Sequence, residues 1–247
     1  MSNTANIVEI FSSRQGEGTL VGTQMTFVRF AFCNLGCRWC DTYEASKFHE
    51  ICRIECPSGS EKFIEKPNPI SVVQLNDLLT GYEDEYISVT GGEPLLQTAF
   101  LAEWLPTITL KRKILLETCG VYYEQFAEIV PHVQVVSMDI KLPSSTGLRP
   151  FWQEHEEFLR IALIHHKDIY VKIVVCPQTK DQDLQEAIRL ISRTNRHIPV
   201  IIQPASPTLT FHETVSPTQL DSLNRLFSAY LPNVQVIPQM HKEWAIL

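Results

Sequence analysis

Nothing in this sequence approaches the ~18 consecutive apolar residues that a membrane-spanning helix needs. Its first ten residues, MSNTANIVEI, lack the basic start and apolar core of a secretory signal, so the expected location is the cytoplasm. Basic residues are in the minority: 21 Lys and Arg stand against 28 Asp and Glu. A formal charge of −7 argues against wrapping a nucleic-acid backbone, so no direct nucleic-acid partner is expected. A paired cysteine pattern is missing as well, because seven cysteines suit a reducing compartment better than a disulfide scaffold. The eight histidines show no metal-ligand spacing. What remains is ordinary for a globular chain, with 44% apolar and 20% charged residues, and 247 residues fit one domain of the larger α/β kind.

Apolar β-branched runs alternate with amphipathic stretches along the chain. The pattern predicts strands at 25–32, 86–90, 113–118, 133–141, 169–175 and 199–204, and helices at 72–81, 95–104, 122–130, 151–166, 180–194 and 217–230. Three helices open with a capping signature: Ser71 with Gln74, Thr179 with Gln182, and Ser216 with Gln219, the last with Pro217 at the first helical position. This alternation implies an α/β fold of parallel strands joined by right-handed crossovers. Polar residues gather where strands end, at GGEP, Glu117-Thr118, Ser137-Asp139-Lys141 and Gln203-Pro204. In a complete or partial β/α barrel that rim is where an active site forms. Residues 44–70 are polar and proline-bearing and carry Cys52 and Cys56, and we expect an insertion or lid there on a single domain covering 1–247. Two cysteines alone make an incomplete metal site. Cys119 and Cys176 read as small buried residues.

Two motifs carry chemistry. The stretch CNLGCRWC places Cys33, Cys37 and Cys40 three and then two residues apart, supplying three thiolates. A cubane iron–sulfur cluster held by three cysteines leaves one iron without a protein ligand, open to a small molecule with a chelating amine and carboxylate. Zinc accepts the same soft ligands, but a closed zinc site needs a fourth residue, and no second half of such a site follows. The second motif, YISVTGGEPLLQ at 86–97, reads as a strand running into two glycines, an acid and a proline. Gly91 and Gly92 let a ligand lie against the main chain.

Together the cysteine triplet and the GGEP strand end resemble the radical S-adenosylmethionine (SAM) enzymes. The passage IVEIFSSRQGEG is similar to the E-x-F-x-S-x-Q-G-E-G entry of the 7-carboxy-7-deazaguanine synthase family within that group. The likeness continues through the F-x-R strand, CDT after the third cysteine, TGGEP, ETxG, S-x-D-x-K, the QP strand end and QMHK. It implies a partial (β/α)6-type TIM-like barrel and a carbon–nitrogen lyase. The reaction implied is conversion of 6-carboxytetrahydropterin to 7-carboxy-7-deazaguanine, by radical hydrogen abstraction and ring contraction with loss of ammonia. The product leads toward queuosine and related deazapurines.

The resemblance also implies a 4Fe-4S cluster on Cys33, Cys37 and Cys40, SAM, and Mg2+ on Thr42. Trp39, Cys40, Asp41, Gly92 and Glu93 are implied to contact SAM. So are Ser137, Asp139 and Gln203, with Lys141 a weaker candidate. Gln15, Gly16, Glu17, Arg29, Thr90 and His241 are implied to meet the pterin. An amide and a carboxylate pair with its donor and acceptor edge, and a guanidinium holds its carboxylate by two parallel bonds. The terminal carboxylate of Leu247 is a weaker candidate for the same role. Implied partners are a one-electron reductant such as flavodoxin or ferredoxin, and a second copy in a homodimer. Two alternatives stay open at this point: a radical SAM activase installing a glycyl radical on a partner protein, which would not need Gln15, Glu17 and Arg29, and a non-enzymatic zinc module, which would not need GGEP.

Overall fold

The computed structural model describes residues 4–108 and 111–246, so Leu247 lies outside the described residues. Strands β1 (Thr4–Ala5) and β6 (Ile70–Ser71) form a small antiparallel pair. The main sheet contains β2 (Ile7–Arg14), β3 (Gln24–Phe30), β4 (Ile51–Glu55), β5 (Phe63–Pro67), β7 (Tyr86–Gly91), β8 (Lys113–Thr118), β9 (Val135–Asp139), β10 (Asp168–Val175), β11 (Val200–Pro204) and β12 (Val234–Val236). Its order is β12-β11-β10-β9-β8-β7-β3-β2-β4-β5. From β3 to β12 every neighbouring pair is parallel. Helices α1 (Val72–Leu79), α2 (Thr98–Ile108), α3 (Tyr123–Ile129), α4 (Pro143–Thr146), α5 (Trp152–Ile164), α6 (Asp181–Asn195), α7 (Pro217–Ser228) and α8 (Met240–Glu243) complete the described elements. None of the described helices is long and apolar enough to cross a membrane.

Period-two alternation decides which residues face the site. On β10, Val171, Ile173 and Val175 join the large core beneath the helices, while Tyr170 belongs to a separate cluster on the opposite face. The same split sends Val28 and Phe30 of β3 outward to the helices and Met25 and Phe27 inward. The inner cluster unites Phe11, Phe27, Leu115, Tyr170 and Ile201, so β2 and β3 meet β10 and β11 across the sheet. Contact between strands so far apart in the order requires the sheet to curl, and the fold is a partial TIM-like α/β barrel. Stacked Phe11 and Phe27, centroids 5.0 Å apart, help fill its floor. Polar side chains continue the inner face above that floor.

All six predicted strands and six predicted helices are present, with ends shifted by a few residues. Ser71 and Ser216 form complete capping boxes with Gln74 and Gln219. Thr179 does not cap α6. Helix α6 starts one residue later than the signature requires, with Lys180 at the N-cap, and the Thr179 hydroxyl instead accepts from the Cys176 N–H at 2.9 Å. Residues 44–70 are not a plain loop: β4 and β5 form an antiparallel hairpin that extends the sheet beyond β2. Cys52 is buried in that hairpin, Cys56 is exposed, and neither is in a disulfide.

Candidate active site

A cavity opens at the carboxyl ends of the parallel strands, and strand register assembles its wall. Glu117 pairs with Ser137 across β8 and β9, Asp139 with Lys172 across β9 and β10, Val174 with Gln203 across β10 and β11, and Arg29 with Thr90 across β3 and β7. With the exception of Glu93, every site residue expected from the sequence within the described residues lines this cavity.

Glu93 points into the fold. Its carboxylate accepts from the Leu95 N–H (3.1 Å), the Thr118 hydroxyl (2.8 Å) and the Cys119 N–H (2.8 Å). Burial raises its pKa despite these donors. The Glu93 carboxylate thus ties the glycine turn to the end of β8 and does not line the cavity. The turn itself is tight. Gly91 has φ +135°, and a Cβ on Gly92 would lie 2.3 Å from the Phe32 carbonyl oxygen and 2.9 Å from that of Ala45.

The cysteine loop leaves β3 and docks on α4. Arg38 donates from Nε to the Ser145 carbonyl (3.1 Å) and from Nη2 to that of Ser144 (2.6 Å), and Trp39 Nε1 donates to Ser145 Oγ (2.9 Å). Cys33, Cys37 and Cys40 are all free and half-buried on the cavity wall. Burial pushes the Cys37 and Cys40 thiols up. Among the described residues no three His, Cys, Asp or Glu side chains converge on one metal-ion position. A cubane does not need that, because its three thiolates bind three different irons, and this donor set fits such a cluster.

Two oxygens test the fit of SAM. Asp139 Oδ1 and Gln203 Oε1 are the buried side-chain atoms without a hydrogen-bond partner among the described residues, and both residues line the cavity beside the cysteines. A buried acceptor left unpaired costs about 1–3 kcal/mol. A ligand bearing hydroxyl and amino donors removes that cost, and SAM is such a molecule. The other oxygen of Asp139 is paired with Lys141 at 2.8 Å, and the Lys141 ammonium sits 4.8 Å from the centre of the Trp39 ring. Burial would lower the Lys141 pKa, but Asp139 holds it above the ordinary lysine value.

Opposite lie the residues of the QGEG loop. Gln15 Oε1 accepts from the Glu17 N–H (3.0 Å), and its Nε2 donates to Glu117 (3.1 Å). Burial would raise the Glu17 pKa, yet the ion pair with Lys172 prevails and lowers it. Gln239 donates 2.8 Å to the other Glu17 oxygen. The pKa of Asp41 is lowered by Lys242 at 3.1 Å and by hydrogen bonds from Gln239 and Thr42. Burial lowers the His241 pKa. Lys172 and Gln239 also line the cavity, and the sequence reading missed both. A lysine inside IYVKIVV is the same kind of signal as the arginine inside the β3 run, and Gln239 opens the QMHK motif.

Comparisons with known proteins agree with this geometry. The Radical SAM superfamily profile matches residues 27–207. A 7-carboxy-7-deazaguanine synthase from Geobacter sulfurreducens is 38% identical over 247 aligned residues, covering 96% of each chain. One from Methanothermobacter thermautotrophicus is 32% identical, again over 96% of each. The crystal structure of QueE from Escherichia coli superposes with a TM-score of 0.62 at 19% identity, covering 98% of this chain and 95% of that one, a likeness of fold. With the profile spanning most of the chain and relatives aligned nearly end to end, this protein belongs to the radical SAM superfamily and, within it, to the 7-carboxy-7-deazaguanine synthase family.

Proposed function

We infer that this chain converts 6-carboxy-5,6,7,8-tetrahydropterin to 7-carboxy-7-deazaguanine with loss of ammonia, as a radical SAM lyase of queuosine and deazapurine biosynthesis. One observation carries the reading: Gln15, Glu17 and Arg29 share a single cavity with the three cysteines and with the unpartnered oxygens of Asp139 and Gln203. An enclosed set of ring-pairing groups beside the cluster loop suits a small heterocycle. A glycyl-radical activase has no use for it, and a zinc module has no use for either half.

When bound, the cluster and SAM supply the one-electron chemistry that makes a carbon-centred radical, and Mg2+ supplies a hard Lewis acid. The protein binds and orients. Cys33, Cys37 and Cys40 hold the cluster, and Trp39, Asp41, Gly92, Ser137, Asp139 and Gln203 hold SAM. Arg29 holds the pterin carboxylate. Glu17, kept ionised by Lys172, presents acceptors only: each of its oxygens has one lone pair in use, by Lys172 or Gln239, and a second that can accept. Gln15 keeps one N–H and one lone pair beyond its bonds to Glu17 and Glu117. Gly16, Thr90 and His241 complete the pterin wall. Thr42 donates its hydroxyl proton to Asp41 (2.9 Å), which leaves the oxygen lone pairs for Mg2+.

The reading treats residues 1–247 as one radical SAM domain with an insertion or lid at 44–70 that contains the β4–β5 hairpin, working as a cytoplasmic homodimer fed by a reductant such as flavodoxin or ferredoxin. Arg29→Met tests the site directly. It should abolish turnover of the pterin while the reconstituted enzyme still binds its cluster and SAM. Unchanged turnover would remove Arg29 from the substrate site.

A further inference from the structure

The last described turn of the chain lies across the cavity and touches both of its working loops. Met240 N–H donates to the Gly16 carbonyl at 2.9 Å, and a Cβ on Gly16 would lie 2.6 Å from the backbone nitrogen of His241. Lys242 pairs with Asp41. Between these contacts sits the buried amide of Gln239. Its single nitrogen has two hydrogens, and each goes to a different carboxylate: Glu17 Oε1 at 2.8 Å and Asp41 Oδ2 at 2.7 Å. Those partners are 222 and 198 residues away in sequence, so neither bond follows from local structure.

The orientation of this amide is determined by charge. Turned over, its carbonyl would face two carboxylates; as it stands, it gives each a charge-assisted bond. Lys172 neutralises Glu17 at its other oxygen, Lys242 shares Asp41 Oδ2 with Gln239, and the row reads Lys172, Glu17, Gln239, Asp41, Lys242. Glu17 belongs to the substrate loop. Asp41 lies between Cys40, a cluster ligand, and Thr42, the residue assigned to Mg2+.

We propose that Gln239 is a positioning residue that couples the substrate loop at 15–18 to the cluster loop at 40–43, so that order in one is order in the other. The proposal rests on the site assignment above. Its first consequence needs no ligand: losing the amide loosens both loops together. Its second is reciprocal, because a coupling between two sites acts equally in both directions. Pterin binding at Glu17 therefore protects the cluster loop, and the protection depends on Gln239.

Hydrogen–deuterium exchange on the full-length protein tests both. In the ligand-free protein, Gln239→Met, similar in size but without the donors, should raise exchange about tenfold or more at 15–18 and at 40–46, the factor implied by losing charge-assisted bonds. Gln239→Asn keeps an amide too short to span both carboxylates; it should give the same result and guards against misfolding of the first variant. Faster exchange at 239–246 alone, or at only one of the two loops, would overturn the proposal and leave Gln239 as a C-terminal anchor. In the reconstituted wild type, 6-carboxytetrahydropterin should slow exchange at 40–46, and in Gln239→Met it should not. Equal protection in both proteins would overturn the coupling. Absence of any pterin-dependent protection in wild type would instead count against the substrate assignment, a failure distinct from that of Gln239.

Discussion

Arg29 enters the cavity with one edge already held: its Nε donates to Glu9 Oε1 at 2.8 Å, and its guanidinium carbon lies 5.5 Å from the centre of the Phe11 ring. Glu9 and Arg29 are register partners on β2 and β3, so the antiparallel pairing itself brings them together. In the proposed reading the fork of the guanidinium is left for the pterin carboxylate.

Glu9→Ala should raise KM for the pterin about tenfold or more, because a fork held in one orientation is replaced by one free to swing. Glu9→Gln keeps an acceptor for Nε and should recover most of the loss. Steady-state kinetics over pterin concentration check this; a fall in kcat with KM unchanged would contradict it.

Four of the seven cysteines line the cavity, but the proposed cluster takes only Cys33, Cys37 and Cys40 and leaves out Cys119. Alanine at Cys33, Cys37 or Cys40 should strip the reconstituted protein of iron and acid-labile sulfide. Cys56→Ser and Cys176→Ala should retain both, since Cys56 lies exposed on the hairpin and Cys176 is buried, with its Sγ 3.7 Å from Arg38 Nη2. Iron and sulfide determination on each variant decides the matter.

Gly92→Ala presses a methyl group against backbone, 2.3 Å from the Phe32 carbonyl oxygen, where no flexible side chain can give way. Overpacking of this kind costs about 1–3 kcal/mol. The expected result is a lower melting temperature together with weaker SAM binding, measured by calorimetry under anaerobic conditions. Wild-type SAM affinity in a destabilised variant would separate the turn from the cofactor.

His155 gives the fold a specific pH dependence. Its Nδ1–H donates to the Gly120 carbonyl (3.1 Å), and its Nε2 accepts from the Lys141 N–H (3.1 Å), so the buried ring is neutral; burial brings its pKa down to about 4. A folded-state pKa below the unfolded one gives stability that is complete above ~6.5 and lost as pH falls toward 4. Between pH 7 and pH 5 this residue alone should cost the wild type about 2 kcal/mol. His155→Gln, less stable at pH 7, should lack that component. Urea denaturation of both proteins at the two pH values checks it, and parallel losses would refute the assignment.

Much of this was readable before any coordinates, for identifiable reasons. Strands β7 to β11 are apolar runs bounded by turn residues, and the site residues at their ends follow from strand polarity alone. Lys172 was harder. Alternation puts it on the same face as Tyr170 and Val174, but which face lines the cavity depends on pairing with β9 and on the curl of the sheet. Glu93 sits in a legible motif, yet its direction is set by donors on β8, more than twenty residues onward. The hairpin at 51–67 escaped because β5, FIEKP, presents almost no buried side chain and so has no apolar face to detect. Gln239 lies outside any periodic element, and only the tertiary fold brings Glu17 and Asp41 to it. Thr179 had the right spacing for a cap, but the loop after β10 uses its hydroxyl first.

The most direct test is anaerobic reconstitution with iron and sulfide, reduction, and incubation with SAM, Mg2+ and 6-carboxytetrahydropterin, with products followed by mass spectrometry. The account predicts 7-carboxy-7-deazaguanine, abolished by Cys37→Ala. SAM cleavage with the pterin recovered unchanged would contradict it.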